Sequence, residues 1–153
     1  MVKGDVNIKV LIVDDEPEIL SSLSVILSSN HRQVILAKNG KEALDIIKIT
    51  DDIACVLCDI RMPVMTGIEL IKEVRTLNNC VPIIFFTAYG SESCMRDAIK
   101  YGAFDFIHKP EFNNLEKAVT AAIKSSIKHS HQSDDESDHE YISEYKKLLG
   151  GGA

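Results

Sequence analysis

Ile8-Lys9-Val10-Leu11-Ile12-Val13-Asp14-Asp15-Glu16-Pro17 is the stretch on which the fold reading turns. The run from Ile8 to Val13 is short, apolar and ends in acids. Apolarity that is continuous rather than alternating marks a strand buried on both faces, as in a parallel sheet. Pro17 suits the first turn of a helix, and Ile19, Leu23, Ile26 and Leu27 follow at helical spacing.

The same alternation recurs outward from this unit. Further apolar runs fall at 34–37, 54–58, 83–86 and 104–107. Helical stretches follow at about 41–49, after Gly67 (with Ile68, Leu70, Ile71 and Val74), at about 91–101 and at about 113–128. Five strand–helix units in about 120 residues predict an α/β fold: a doubly wound, five-stranded parallel sheet with helices on both faces and right-handed crossovers. The flavodoxin-like strand order 2-1-3-4-5 fits this length.

Composition sets the outer bounds. The chain has 153 residues, 45% of them apolar and 26% charged, which suits one soluble domain with a tail. A net charge of -6 does not favour nucleic acid or an anionic membrane surface; a divalent cation or a basic partner suits it better. The first apolar run is too short for a signal-peptide core or a membrane span, so a cytoplasmic setting is expected. Cys55 and Cys58 form a C-x-x-C, but three residues apart on a strand they face opposite ways. All four cysteines (with Cys80 and Cys94) are therefore expected to be reduced and to act as small apolar residues.

In such a sheet, ligands bind at the carboxyl ends of the strands. The first strand ends in Asp14, Asp15 and Glu16, the third in Asp59, the fourth in Thr87 and Ala88, and the fifth in His108, Lys109 and Pro110. Carboxylates so gathered repel one another unless a cation joins them. Carboxylate oxygens, a backbone carbonyl and waters suit Mg²⁺ (or Mn²⁺), which commonly shares its shell with phosphate. A lysine and a hydroxyl beside them suit phosphoryl transfer, where positioning and charge neutralisation do most of the catalysis. The acceptor would be a carboxylate, giving an acyl phosphate.

The segments Val10 to Glu16, Cys58 to Gly67, Phe85 to Ala88 and Phe106 to Pro110 together resemble the bacterial two-component response-regulator receiver family (CheY-like), over about residues 7–129. The resemblance implies that Asp59 accepts phosphate from a sensor histidine kinase or a phosphotransfer protein. It implies Mg²⁺ on Asp15 and Asp59 directly, on Asp14 largely through water, and on the backbone carbonyl of Arg61. Thr87, with Ala88 beside it, would bind the phosphoryl group, and Lys109 would pair with it. Phe106 would be an aromatic switch that turns inward when Thr87 moves. Arg61 and Tyr89 match positions that tune dephosphorylation, and the Lys109–Pro110 peptide bond is often cis in the family. The fourth helix, fifth strand and fifth helix, around Met95, Ile99, Tyr101 and Phe106, would form an output face for a downstream partner. On this reading the chain is a signalling switch, not an enzyme with an external substrate.

Residues 1–129 are read as the receiver domain and 130–153 as a tail. From His129 to Glu140 there are five acids, three histidines and three serines, with no apolar residue, as expected of a flexible acidic linker. That leaves a second reading, the receiver portion of a larger regulator or hybrid kinase in a phosphorelay. A flavin-binding protein is disfavoured, because Asp14-Asp15-Glu16-Pro17 replaces the glycine- and hydroxyl-rich loop that would cradle phosphate. A haloacid-type hydrolase would place its nucleophile after the first strand in Asp-x-Asp, which Asp14-Asp15 does not match.

Overall fold

The computed structural model describes residues 7–28, 31–88 and 90–131. Its elements alternate: β1 (Ile8–Val13), α1 (Pro17–Leu27), β2 (Arg32–Ala37), α2 (Gly40–Ile49), β3 (Ile53–Cys58), α3 (Gly67–Thr76), β4 (Ile83–Thr87), α4 (Glu92–Lys100), β5 (Asp105–His108), and α5 (Leu115–His131), which is preceded by a 3-10 turn at Phe112–Asn114. The strands pair in parallel, in the order β2-β1-β3-β4-β5. Fold class and strand order are as the sequence predicts.

The pleat divides the core in two. Val10, Ile12, Cys55 and Leu57 face one layer with α1 and α5. Leu11, Val13, Val56 and Cys58 face the other with α2, α3 and α4. Cys55 and Cys58 thus point to opposite sides, and all four cysteines are free. Burial pushes the Cys55 thiol up to about 12 and the Cys58 thiol well above its ordinary value, so neither is a ready thiolate. Cys80 departs from expectation: it lies exposed in the turn before β4 and packs in no core.

Local signals start the helices. Pro17 opens α1, the Asn39 side chain accepts from the Glu42 N–H, Thr66 and Glu69 form a capping box, and Ser91 accepts from the Cys94 N–H. At its far end α4 is tied down by Arg75. The guanidinium donates to the carbonyls of Tyr101 and Gly102 on one side and of Asn79 and Val81 on the other.

The edge strands differ from the sequence expectation. Strand β2 begins at Arg32 rather than at 34, because Arg32 and Gln33 pair with Ile8 and Lys9; the Arg32 side chain is buried and reaches Glu116 and Thr120 of α5. Strand β5 is shifted by one residue, to Asp105–His108, and Phe104 stays outside it, partly exposed. α5 is described as far as His131, into the stretch expected as linker; residues 132–153, with the rest of that expected acidic tail, lie outside the described residues. Among the described residues no helix is long and apolar enough to cross a membrane.

Candidate functional site

Asp14 follows β1 directly. Its N–H donates to the Ala37 carbonyl at 3.1 Å, which continues the sheet ladder past the strand end. Asp59 follows β3 in the same way and donates to the Val13 carbonyl at 2.9 Å. Two neighbouring parallel strands therefore end side by side, each in an acid. Both carboxylates are buried, at 1% and 5% exposure, whereas Asp15 is exposed.

Each buried acid is fixed by the backbone beyond it. Asp14 Oδ1 accepts from the Glu16 N–H at 2.9 Å, and Asp59 Oδ1 from the Ile60 N–H at 2.7 Å. Their other oxygens share one cation. Lys109 Nζ lies 2.8 Å from Asp14 Oδ2 and 3.1 Å from Asp59 Oδ2. The lysine comes from the end of β5, where its N–H donates to the Thr87 carbonyl at 2.9 Å, and its peptide bond to Pro110 is cis.

One lysine does not neutralise three acids. Asp14, Asp15 and Asp59 each offer an oxygen, all within 4.8 Å of one another. At that spacing each pair repels by roughly 3–4 kcal/mol at an effective dielectric of about 20. Burial raises the Asp14 pKa above the ordinary carboxylate value, and its bonds to Lys109 and to the Glu16 N–H offset only part of that. Burial alone would lower the Lys109 pKa, but its bonds and charge contacts with Asp14 and Asp59 outweigh it and hold the ammonium above its usual value. Three hard oxygen donors with an unbalanced negative charge fit a small divalent cation.

The remaining sequence-predicted residues take other places. Thr87 is fully buried at the end of β4 and joined to Lys109 through the backbone. Ala88 is exposed beside it, and Arg61 is exposed on the β3–α3 loop. Phe106 is not at the acid cluster. It is half-buried on the α2–α3–α4 side of the sheet, its ring 6.2 Å from Phe85 and 5.5 Å from His108. Ile99 is 68% exposed and Met95 half-buried, so α4 turns apolar surface outward. Tyr89 lies outside the described residues.

What the sequence reading missed is how the loop after Asp59 is held. The Gly67 N–H donates to the Ile60 carbonyl at 2.9 Å, and a Cβ on Gly67 would fall 2.3 Å from the Asp59 carbonyl oxygen. Only glycine permits that approach. Val64 takes φ 71, a left-handed conformation that costs a β-branched residue about 1–2 kcal/mol. The glycine was a visible signal; nothing in Pro63-Val64-Met65 announces a left-handed turn.

Residues 10–120 match the model of the response regulator receiver domain. The transcriptional regulatory protein ZraR of Escherichia coli K12 is 36% identical over 118 residues, which cover 76% of this chain and 26% of ZraR. The chain thus spans about a quarter of the length of that curated relative. A CheY-like receiver-domain protein from Methanospirillum hungatei superposes with a TM-score of 0.75 at 28% identity, covering 80% of this chain and 98% of that one. CheY of Borrelia burgdorferi, solved in complex with CheX, BeF3 and Mg²⁺, gives 0.68 at 30% identity, over 74% and 87% of the two chains.

Proposed function

The chain belongs to the response-regulator receiver domain family, and from that premise we propose that it is a two-component switch set by phosphorylation of Asp59. The observation that carries the reading is the pair of buried acids at adjacent strand ends, bridged by Lys109. A buried carboxylate with a lysine and a cation site beside it is equipped to attack phosphorus and to have the product's charge held.

The Asp59 carboxylate attacks the phosphoryl group of a phosphohistidine in line. A P–O bond forms as the P–N bond breaks, the imidazole leaves with the electron pair, and an acyl phosphate results. Asp14, Asp15, Asp59 and the Arg61 carbonyl would hold Mg²⁺ or Mn²⁺, which supplies neutralisation of the phosphoryl oxygens. Lys109 exchanges its carboxylate partners for a phosphoryl oxygen. The Thr87 hydroxyl, with Ala88 beside it, turns toward the phosphate, and Phe106 moves into the space that opens. Ile99, Met95, Tyr101 and Phe106 then present a changed face on α4, β5 and α5 to a downstream partner.

The phosphodonor is a sensor histidine kinase or a phosphotransfer protein in the cytoplasm. We read residues 1–129 as the receiver and 130–153 as an acidic linker and tail. The much greater length of ZraR supports a second reading, in which this domain regulates a larger protein.

Incubation with acetyl phosphate and Mg²⁺ tests the claim by phosphate incorporation. Wild type is expected to take up phosphate, and Asp59→Asn to take up none. Equal labelling of the two proteins, or no labelling of wild type, overturns it.

A further inference from the structure

The start of α2 abuts the loop that carries Arg61, although the two are distant in sequence. The Gly40 N–H donates to the Met65 carbonyl at 3.1 Å. A Cβ at position 40 would stand 2.6 Å from that oxygen, 2.8 Å from Met65 Cγ and 2.9 Å from Met65 Cβ. Gly40 is not among the residues of positive φ. Glycine is therefore needed here for close approach rather than for backbone conformation.

The abutment is firm on the α2 side. The Asn39 side chain accepts from the Glu42 N–H at 2.8 Å, which fixes the first turn, and Ala43, Leu44 and Ile47 are buried behind it. On the loop side, Ile60 is tied to Gly67 at 2.9 Å, Met62 is sunk in the core, and the Met65 N–H donates to the Pro63 carbonyl at 2.8 Å. Arg61 lies between two anchored residues, and Val64 lies in its left-handed turn between two more. With both loop ends fixed, a push on Met65 has only the segment 61–64 in which to be absorbed.

We infer that Gly40 is a positioning residue for the cation site: the bare start of α2 sets the Met65 carbonyl, keeps Val64 left-handed, and thereby fixes the Arg61 backbone carbonyl. The inference rests on the cation site described under Proposed function. Gly40 touches no ligand itself; it acts through the loop.

The experiment is calorimetric titration of the phosphate-free, full-length chain with Mg²⁺. Gly40→Ala is expected to weaken Mg²⁺ binding about tenfold, the scale at which outer partners tune metal sites. Ile47→Val is the control for stability: it thins the core under the same helix, about two turns beyond Gly40, and should lower the melting temperature yet leave Mg²⁺ affinity unchanged. Unchanged affinity in Gly40→Ala overturns the inference, as does equal weakening in Ile47→Val. Should Gly40→Ala not fold, amide NMR of wild type decides. The Gly40 amide must shift on Mg²⁺ saturation while the Gly102 amide does not; a silent Gly40 amide overturns the inference. If wild type binds no Mg²⁺, the cation-site reading falls and this inference with it. If wild type binds and Gly40→Ala binds as well, only the inference falls.

Discussion

The centre of the sheet and its α4–β5 side are built to different standards. In β1 and β3 nearly every side chain is buried, and their ends hold Asp14 and Asp59 by backbone bonds to neighbouring elements. Across the sheet, α4 buries only Ala98 and β5 only Ile107, while Ile99 and Phe104 face outward. Positioning of reacting groups needs the first kind of structure. Segments that rearrange are drawn from the less stable parts of a fold. On the function proposed above, the difference would separate a place for chemistry from a place for response.

The widest gap between the two regions is expected in stability. Ile12→Ala in β1 empties a fully buried site and should cost about 2–5 kcal/mol in urea unfolding. A loss below about 1 kcal/mol would mean that this region is not the rigid one.

Lys109→Met tests the joint between them. Without the ammonium, Asp14 and Asp59 face each other uncompensated, and stability should fall by about 3 kcal/mol in metal-free buffer. Part of that should return when Mg²⁺ is added, which the same unfolding curves would reveal.

Tyr89→Ala probes the segment just beyond β4. If its ring screens the acyl phosphate from water, autodephosphorylation should quicken about threefold, equivalent to about 0.6 kcal/mol in barrier. An unchanged or slower rate would remove Tyr89 from that role.

The smallest expected effect is that of Ile99→Ala, within about 0.5 kcal/mol of wild type, because the side chain is already 68% exposed. A large loss there would erase the contrast.

The same contrast governs what could be read from the sequence. β1, β3 and β4 were legible because burial on both faces leaves unbroken apolar runs such as Val10-Leu11-Ile12-Val13. The edges were less so: Arg32 and Gln33 are polar members of β2, and the Arg32 side chain is held by Glu116, far along the chain, which no apolar run reports. Asp14, Asp59 and Lys109 were legible as strand-end residues once the sheet was in hand. Which oxygen each one uses was not, since the sharing of Lys109 depends on the relative placement of β1, β3 and β5. The left-handed Val64 and the Gly40–Met65 contact were invisible for a similar reason. They depend on a non-local approach that overrides the preference of a β-branched residue.

Arg75 has a mechanical consequence. By gripping the carbonyls of Tyr101 and Gly102 it pins α4 at its C-terminal end, while the N-terminal end meets the stretch that leads back to Thr87. Nine residues of helix make a lever arm of about 13 Å. A tilt of about 10° around that pin would sweep the N-terminal end through about 2 Å, so a small rotation of the helix is enough for a side-chain-sized change beside Thr87.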